Sequence, residues 1–221
     1  MNLSGFVPLS LCDFPGRVAA VIFTQGCNFR CPFCHNGHLL PLQTETSQNL
    51  LPEVQVLSRI NERKTRLGGV VVTGGEPTLQ PDLIRFLRHL KTLGLAIKLD
   101  TNGSFPQVLQ ALFDEHLVDF VAMDIKAPWH KYALLSGNSN ALALCAVQHS
   151  VNLIASSGVA HQFRTTRVDP LLNSSDYDAI QQQIPANSPH VWQTFRPEHS
   201  LDPALNQSTE NTSNHYDLIK V

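Results

Sequence analysis

The chain has 221 residues, of which 43% are hydrophobic and 15% charged, and its formal net charge is −2. That length suits one domain with a sizeable core, and the charge balance excludes a strongly basic surface for nucleic acid. Residues 1–16 carry no basic leader and the apolar run 18–23 is far too short to cross a bilayer. Neither export nor membrane insertion is expected, and the expected compartment is the cytoplasm, where thiols stay reduced.

Residues 10–17 read as a turn-rich approach ending in Pro15-Gly16. Residues 18–23 are short, apolar and rich in β-branched side chains, the pattern of a strand buried on both faces. Its C-terminal end delivers Thr24-Gln25-Gly26-Cys27-Asn28-Phe29-Arg30-Cys31-Pro32-Phe33-Cys34-His35-Asn36. Residues 40–49 are a polar connector. A helix then starts at Pro52, with Val54, Leu57 and Ile60 on its apolar face and Gly68-Gly69 beyond its end. The second strand, residues 70–72, runs into Thr73-Gly74-Gly75-Glu76-Pro77. A helix over 81–93 shows Leu83, Ile84, Leu87 and Leu90 on one stripe, and Gly94 stops it.

The third strand, 95–99, ends in Asp100-Thr101-Asn102-Gly103, and a helix over 106–116 follows. The fourth, 119–123, ends in Asp124-Ile125-Lys126-Ala127-Pro128. Residues 139–157 are expected as one long helix with Leu144, Val147, Val151 and Ile154 on one face, Cys145 as a small buried residue and Gly158 as the cap. Residues 150–154 would also pass for a strand. A fifth strand over 162–168, a helix over 175–184 capped by Asn173, Ser174 or Ser175, and a sixth strand over 191–195 complete the series. Strands alternating with helices predict a parallel sheet with right-handed crossovers. Six units rather than eight predict an α/β fold of one kind, an open, partial (β/α)6 barrel resembling part of a TIM barrel. Residues 1–202 form the expected single domain. Residues 203–221 form a polar tail, whose last six residues would add an edge strand or dock on a partner.

Three of the five cysteines, Cys27, Cys31 and Cys34, follow the spacing Cys-x3-Cys-x2-Cys. Thiolates are soft ligands suited to iron–sulfur clusters and zinc. Three of them can hold three irons of a 4Fe–4S cube and leave the fourth iron open to a chelating cosubstrate. The alternative is a zinc site of the same cysteines with His35 or His38, which would make the chain a zinc-stabilised binding module without catalysis. In a parallel α/β fold the polar strand ends all reach one rim, the usual place for a ligand.

These motifs resemble the radical S-adenosylmethionine (SAM) superfamily. The resemblance implies a 4Fe–4S cluster on Cys27, Cys31 and Cys34 that reductively cleaves SAM to methionine and a 5′-deoxyadenosyl radical. Phe33 would lie beside the adenine, and Gly74, Gly75, Glu76 and Pro77 match the element that receives the SAM ammonium. The third and fourth strand ends resemble those of glycyl-radical-enzyme activases. By that resemblance Asn102 and Lys126 face SAM. Asp100, Thr101 and Asp124 would hold a monovalent cation with the Ala122 carbonyl, although Asp100 also reads as a plain turn or cap residue. Arg164 would meet the SAM carboxylate or form a structural salt bridge, with Arg167 as a substitute, and His35 would shape the cluster's surroundings.

The approach Ser10-Leu11-Cys12-Asp13-Phe14-Pro15-Gly16, with the cysteine and Gly-Gly-Glu-Pro segments, looks like the longer activases of anaerobic ribonucleoside-triphosphate reductase. The implied partners are that glycyl radical enzyme and a flavodoxin- or ferredoxin-like electron donor. Activation of pyruvate formate-lyase or another glycyl radical enzyme, or small-molecule chemistry such as deazaguanine synthesis, is the alternative. The sixth-strand region lacks a histidine expected from pyruvate formate-lyase activases, and Arg196 stands near that place.

Overall fold

The computed structural model describes residues 1–41 and 50–206. Seven strands form one sheet in sequence order. They are β1 (Leu3–Phe14), β2 (Arg17–Thr24), β3 (Gly69–Gly74), β4 (Ala96–Thr101), β5 (Phe120–Asp124), β6 (Ala160–Arg167) and β7 (His190–Thr194). β2 to β7 are parallel, each paired with the next. Between them run α1 (Glu53–Arg63), α2 (Leu83–Thr92), α3 (Pro106–Asp114), α4 (Tyr132–Ser136), α5 (Ala141–Ser156) and α6 (Ser174–Gln183), and a short α7 (Pro203–Asn206) follows β7. The six expected parallel strands are all present, and the sheet curls into an open half-barrel with helices outside.

Alternation along each strand divides its side chains between two faces. Outward, Ile22, Val70, Val72, Ile97, Leu99 and Val121 are fully buried with Ile60, Phe86, Leu87, Leu90 and Leu109 of the helices. Inward, Phe14, Ala19, Val21 and Val71 form a smaller cluster, with Phe23, Ala96 and Phe120 packed on it. This apolar plug closes the bottom of the half-barrel. Two and four residues further along the same face come Thr73, Lys98, Asp100 and Asp124. Arg164 of β6 sits in register with Asp124.

β1 precedes the six expected strands and has no counterpart among them. It pairs antiparallel with β2, and register shifts interrupt it between Val7 and Ser10 and between Ser10 and Phe14. Residues 10–17, expected as turns, are the end of β1 and a hairpin turn at Pro15-Gly16, where Gly16 has a φ of 70°. Only Leu3, Ser10 and Phe14 of this strand are buried, so no hydrophobic run marks it. Pro8 is tolerated because the strand lies at an edge.

Two further expectations need correction. On α1, Val56 and Ile60 are buried while Val54 is 77% exposed, so the apolar face is turned away from Val54. On α5, Val147, Ser150, Val151 and Ile154 take the buried side, and Cys145, two residues before Val147, faces solvent. The α6 cap is Asn173, whose side chain accepts from the Asp176 N–H while the Asp176 carboxylate accepts from the Asn173 N–H. Leu205 of α7 is buried, and the Asp202 N–H donates to the Pro32 carbonyl at 2.8 Å, tying this segment to the cysteine loop. The proposed edge strand or docking segment over 216–221 lies outside the described residues. Among the described residues no helix is long and apolar enough to cross a membrane.

Candidate active site

The strand ends enclose a cavity of about 760 Å³, within the range of roughly 300–1,000 Å³ usual for small-molecule sites. Cys27, Cys31, Phe33 and Cys34 form one wall. Gly74, Gly75 and Glu76 from β3, Asp100, Thr101 and Asn102 from β4, Asp124 and Lys126 from β5 and Arg164 from β6 form the rest. The residues expected at the site are gathered there except Pro77, which is buried in a 3-10 turn, and Arg167, the substitute for Arg164, which lies over the Tyr177 ring instead.

The cysteine loop is held by backbone bonds to its neighbours. Gly26 N–H donates to Leu39 O at 2.7 Å and Arg30 N–H to Ser136 O at 2.7 Å, while Gly26 O accepts from Glu76 N–H at 2.7 Å. This contact explains the paired glycines of β3. A Cβ on Gly75 would lie 2.1 Å from Gly26 O, and one on Gly74, at a φ of 120°, 2.3 Å from Thr24 N. Both positions need glycine because the loop's backbone passes over them. Burial pushes the Cys27 thiol up to about 11, with the Glu76 carboxylate adding to the shift, and pushes Cys31 up to about 12. Phe29 N–H and the Asn102 amide both point at Cys27 Sγ, at 3.4 and 3.9 Å. Donors aimed at a sulfur are the arrangement that tunes a metal-bound thiolate.

Glu76 is fully buried. Its Oε1 accepts from the Thr78 N–H at 3.1 Å, from the Thr101 hydroxyl at 2.7 Å and from the Thr78 hydroxyl, and its Oε2 accepts from Asn102 N–H at 2.7 Å. Burial raises its pKa against the pull of these bonds. Glu76 thus fastens the end of β3 to the end of β4. It fixes Asn102, whose amide donates to Asn28 Oδ1 at 2.9 Å, back in the cysteine loop.

The opposite wall is charged. Arg164 Nε donates to Asp124 Oδ1 at 2.8 Å and its Nη1 to Asp100 Oδ2 at 3.2 Å. Lys126 Nζ donates to Asp124 Oδ2 at 2.9 Å, and Lys98 Nζ to Asp100 Oδ1 at 2.6 Å. Burial opposes ionisation of Asp124, but Arg164 and then Lys126 outweigh it and hold the carboxyl far below the usual range. Burial likewise opposes the Lys126 charge, and Asp124 and Cys31 outweigh it, so Lys126 stays protonated. The Arg164 guanidinium bridges the two carboxylates, and the Thr101 hydroxyl is turned to Glu76 rather than to them.

Asp13, Phe23, Thr166, Gln193, Thr194 and Arg196 also line the cavity, of which the sequence reading had only Arg196. Gln193 and Thr194 end a strand like the residues that were found, and that position was the available signal. Lys98 shares the inward face with Asp100 at a spacing of two, the one sequence signal that places it near the site. His35 donates from Nε2 to the Arg196 carbonyl, which joins the cysteine loop to the end of β7. Among the described residues no three His, Cys, Asp or Glu side chains are placed to hold a single metal ion.

A model of the radical SAM superfamily matches residues 21–144. A Methanocaldococcus jannaschii protein, assigned by name as a glycyl-radical enzyme activating enzyme, is 32% identical over 203 residues, covering 90% of this chain and 82% of its own length. The pyruvate formate-lyase-activating enzyme of Listeria monocytogenes is 34% identical over 140 residues, covering 58% of this chain and 55% of that one. Among solved structures, Streptococcus suis SuiB bound to S-adenosylmethionine has a TM-score of 0.64 at 13% identity. It matches 86% of this chain, which spans 46% of SuiB. That likeness is one of fold.

Proposed function

Because this chain belongs to the radical SAM superfamily, it is an enzyme, and we propose that it installs the glycyl radical of anaerobic ribonucleoside-triphosphate reductase. The observation that carries this reading is the cavity itself. Three thiols from the loop after β2 face a wall of Asp124 and Lys126 from the end of β5 and Arg164 from β6, and all of them line one cavity. The family implies a 4Fe–4S cluster and SAM, and the residues fit both. The sulfurs are soft donors, two of them are buried, and N–H groups already point at Cys27 Sγ. When bound, the cluster supplies the electron that cleaves SAM, and SAM supplies the group that removes a hydrogen atom from a glycine Cα of the partner.

Cys27, Cys31 and Cys34 hold the cluster. Burial favours the neutral thiol at Cys27 and Cys31, and they would serve the cluster as thiolates whose charge the iron would balance. Phe33 packs against the adenine. The carbonyls of Gly74 and Gly75 receive the SAM ammonium, while Glu76, already saturated by Thr78, Thr101 and Asn102, keeps that wall in place. Arg164 spends Nε and Nη1 on Asp124 and Asp100, so its Nη2 serves the SAM carboxylate together with Lys126. The half-barrel is open between β1 and β7, with Asp13 on one margin of the cavity and Gln193 and Thr194 on the other. That gap suits a loop of a protein substrate. An external flavodoxin- or ferredoxin-like protein of the cytoplasm supplies the electron.

The likeness to the Listeria activating enzyme favours a second partner, pyruvate formate-lyase. The test is anaerobic: reconstituted protein, dithionite, SAM and either candidate partner, with 5′-deoxyadenosine followed by chromatography and the glycyl radical by electron paramagnetic resonance. Both signals are expected with the reductase, and both vanish in Cys31→Ala. A radical on pyruvate formate-lyase alone reassigns the partner. SAM cleavage with neither radical moves the reading to small-molecule chemistry, and a loaded cluster that cleaves no SAM overturns it.

A further inference from the structure

Lys98 is a buried charge to which the proposed chemistry gives no part. Its side chain is 3% exposed, on β4 between Ile97 and Leu99, and it faces inward. A buried ammonium persists only against a strong partner. Here the partner is Asp100 Oδ1 at 2.6 Å. Asp100 Oδ2 is taken by Arg164, Asp124 Oδ1 by Arg164 and Asp124 Oδ2 by Lys126. Every carboxylate oxygen of the acidic pair is therefore met by a cation of the protein. Charge alternates without a gap along Lys98, Asp100, Arg164, Asp124 and Lys126. An added metal ion would have to displace Lys98, Arg164 or Lys126 to reach any of these four oxygens. Thr101, a hard oxygen that could complete a cation's shell, instead donates to Glu76 and accepts from Gly103 N–H at 3.1 Å.

We infer that Lys98 is a built-in counter-ion. With Arg164 it occupies the place a monovalent cation would take between Asp100 and Asp124, so SAM binding in this protein needs no inorganic cation. Lys98 is a positioning residue: it neutralises Asp100, and Asp100 holds one arm of the Arg164 fork. Only the step from Arg164 to the SAM carboxylate rests on the proposed function. The absence of cation binding does not.

The test uses the reconstituted full chain, transferred into choline chloride and titrated with sodium chloride while the ²³Na linewidth is recorded. SAM affinity is measured in choline, sodium and potassium chloride of equal ionic strength. The wild type is expected to show no saturable broadening, and its SAM dissociation constant should differ by less than about twofold between salts once screening is matched. Lys98→Met keeps the stem and removes the charge. In choline its SAM affinity should fall roughly tenfold, as a half-neutralised Asp100 draws Arg164 away. Sodium or potassium should restore most of that loss, with saturable ²³Na broadening, and Lys98→Arg should behave as the wild type. A lysine needed only for folding would give no cation rescue. Saturable sodium binding by the wild type, or a folded Lys98→Met indifferent to salt, overturns the inference. Should Lys98→Met not fold, the wild-type linewidth decides. Should SAM be cleaved in no salt, the proposed function fails while the sodium signal still judges Lys98.

Discussion

The two faces of β4 carry opposite chemistry. Ile97 and Leu99 point outward into the helix layer and are fully buried among aliphatic neighbours. Lys98 and Asp100 stand on the same strand, one residue out of phase, and point into the half-barrel, where they pair with each other and Asp100 also pairs with Arg164. The outward face asks only for volume and apolarity. The inward face runs from the plug of Phe14, Ala19, Val21 and Val71 to a charged rim, so its composition changes with height. One sheet thus stores stability on one side and function on the other, and substitutions on the two sides should separate those quantities.

The largest effect is expected outside. Leu99→Ala should cost about 3 kcal/mol through lost burial and a cavity, which lowers the melting temperature by roughly 6–12 °C for a chain of this size. SAM affinity of the folded fraction, measured well below the transition, should stay within about threefold. A large loss of affinity in a folded Leu99→Ala would break the comparison, because it would mean that the outward face sets the geometry of the rim.

The same division explains what was legible beforehand. β2, β3 and β5 each carry a continuous apolar run, since both faces are covered near the bottom of the half-barrel. β1 carries none: it is an edge strand with Val7, Leu9 and Leu11 exposed, and its pairing is set by β2 rather than by its own pattern. The polar strand ends were readable because parallel topology sends them all to one rim. Lys98 was not, since a charge one turn of the pleat below the rim looks like an interruption of a hydrophobic strand until Asp100 and Arg164 are seen beside it. The sequence also could not tell that Glu76 is saturated by Thr78, Thr101 and Asn102, because those bonds join two strand ends.

A smaller effect is expected inside, and of the other kind. Arg164→Lys keeps the charge but loses the fork that reaches Asp124 and Asp100 together. SAM binding should weaken roughly tenfold, which corresponds to about 1.4 kcal/mol. The melting temperature should move less than in Leu99→Ala. Isothermal titration and a thermal scan on the same preparations give both numbers. A stability loss equal to that of Leu99→Ala, with affinity intact, would make Arg164 a structural brace and sharpen the boundary between plug and rim.

The smallest effect concerns charge on the outside of the helix layer, away from the cavity. Glu53, in the first turn of α1, accepts from Arg85 of α2 through two bonds of 2.8 and 2.9 Å, and the Met1 ammonium lies at 2.8 Å. The Arg85 bonds, reinforced by that ammonium, lower its pKa from 4.5 to about 2. A carboxylate whose pKa is depressed on folding stabilises the protein above its unfolded pKa, and that stabilisation is lost as pH falls through the folded value. The window is therefore pH 4.5 down to 2. Since Arg85 is more than half exposed, the expected cost of Glu53→Gln at neutral pH and low salt is at most about 1 kcal/mol. Urea midpoints of the two proteins should converge as pH falls through that window, and salt should narrow the gap, while SAM affinity at neutral pH stays level. A gap that ignores both pH and salt would trace the effect to packing of α1 on α2, and surface charge would then drop out of the account of the outward face.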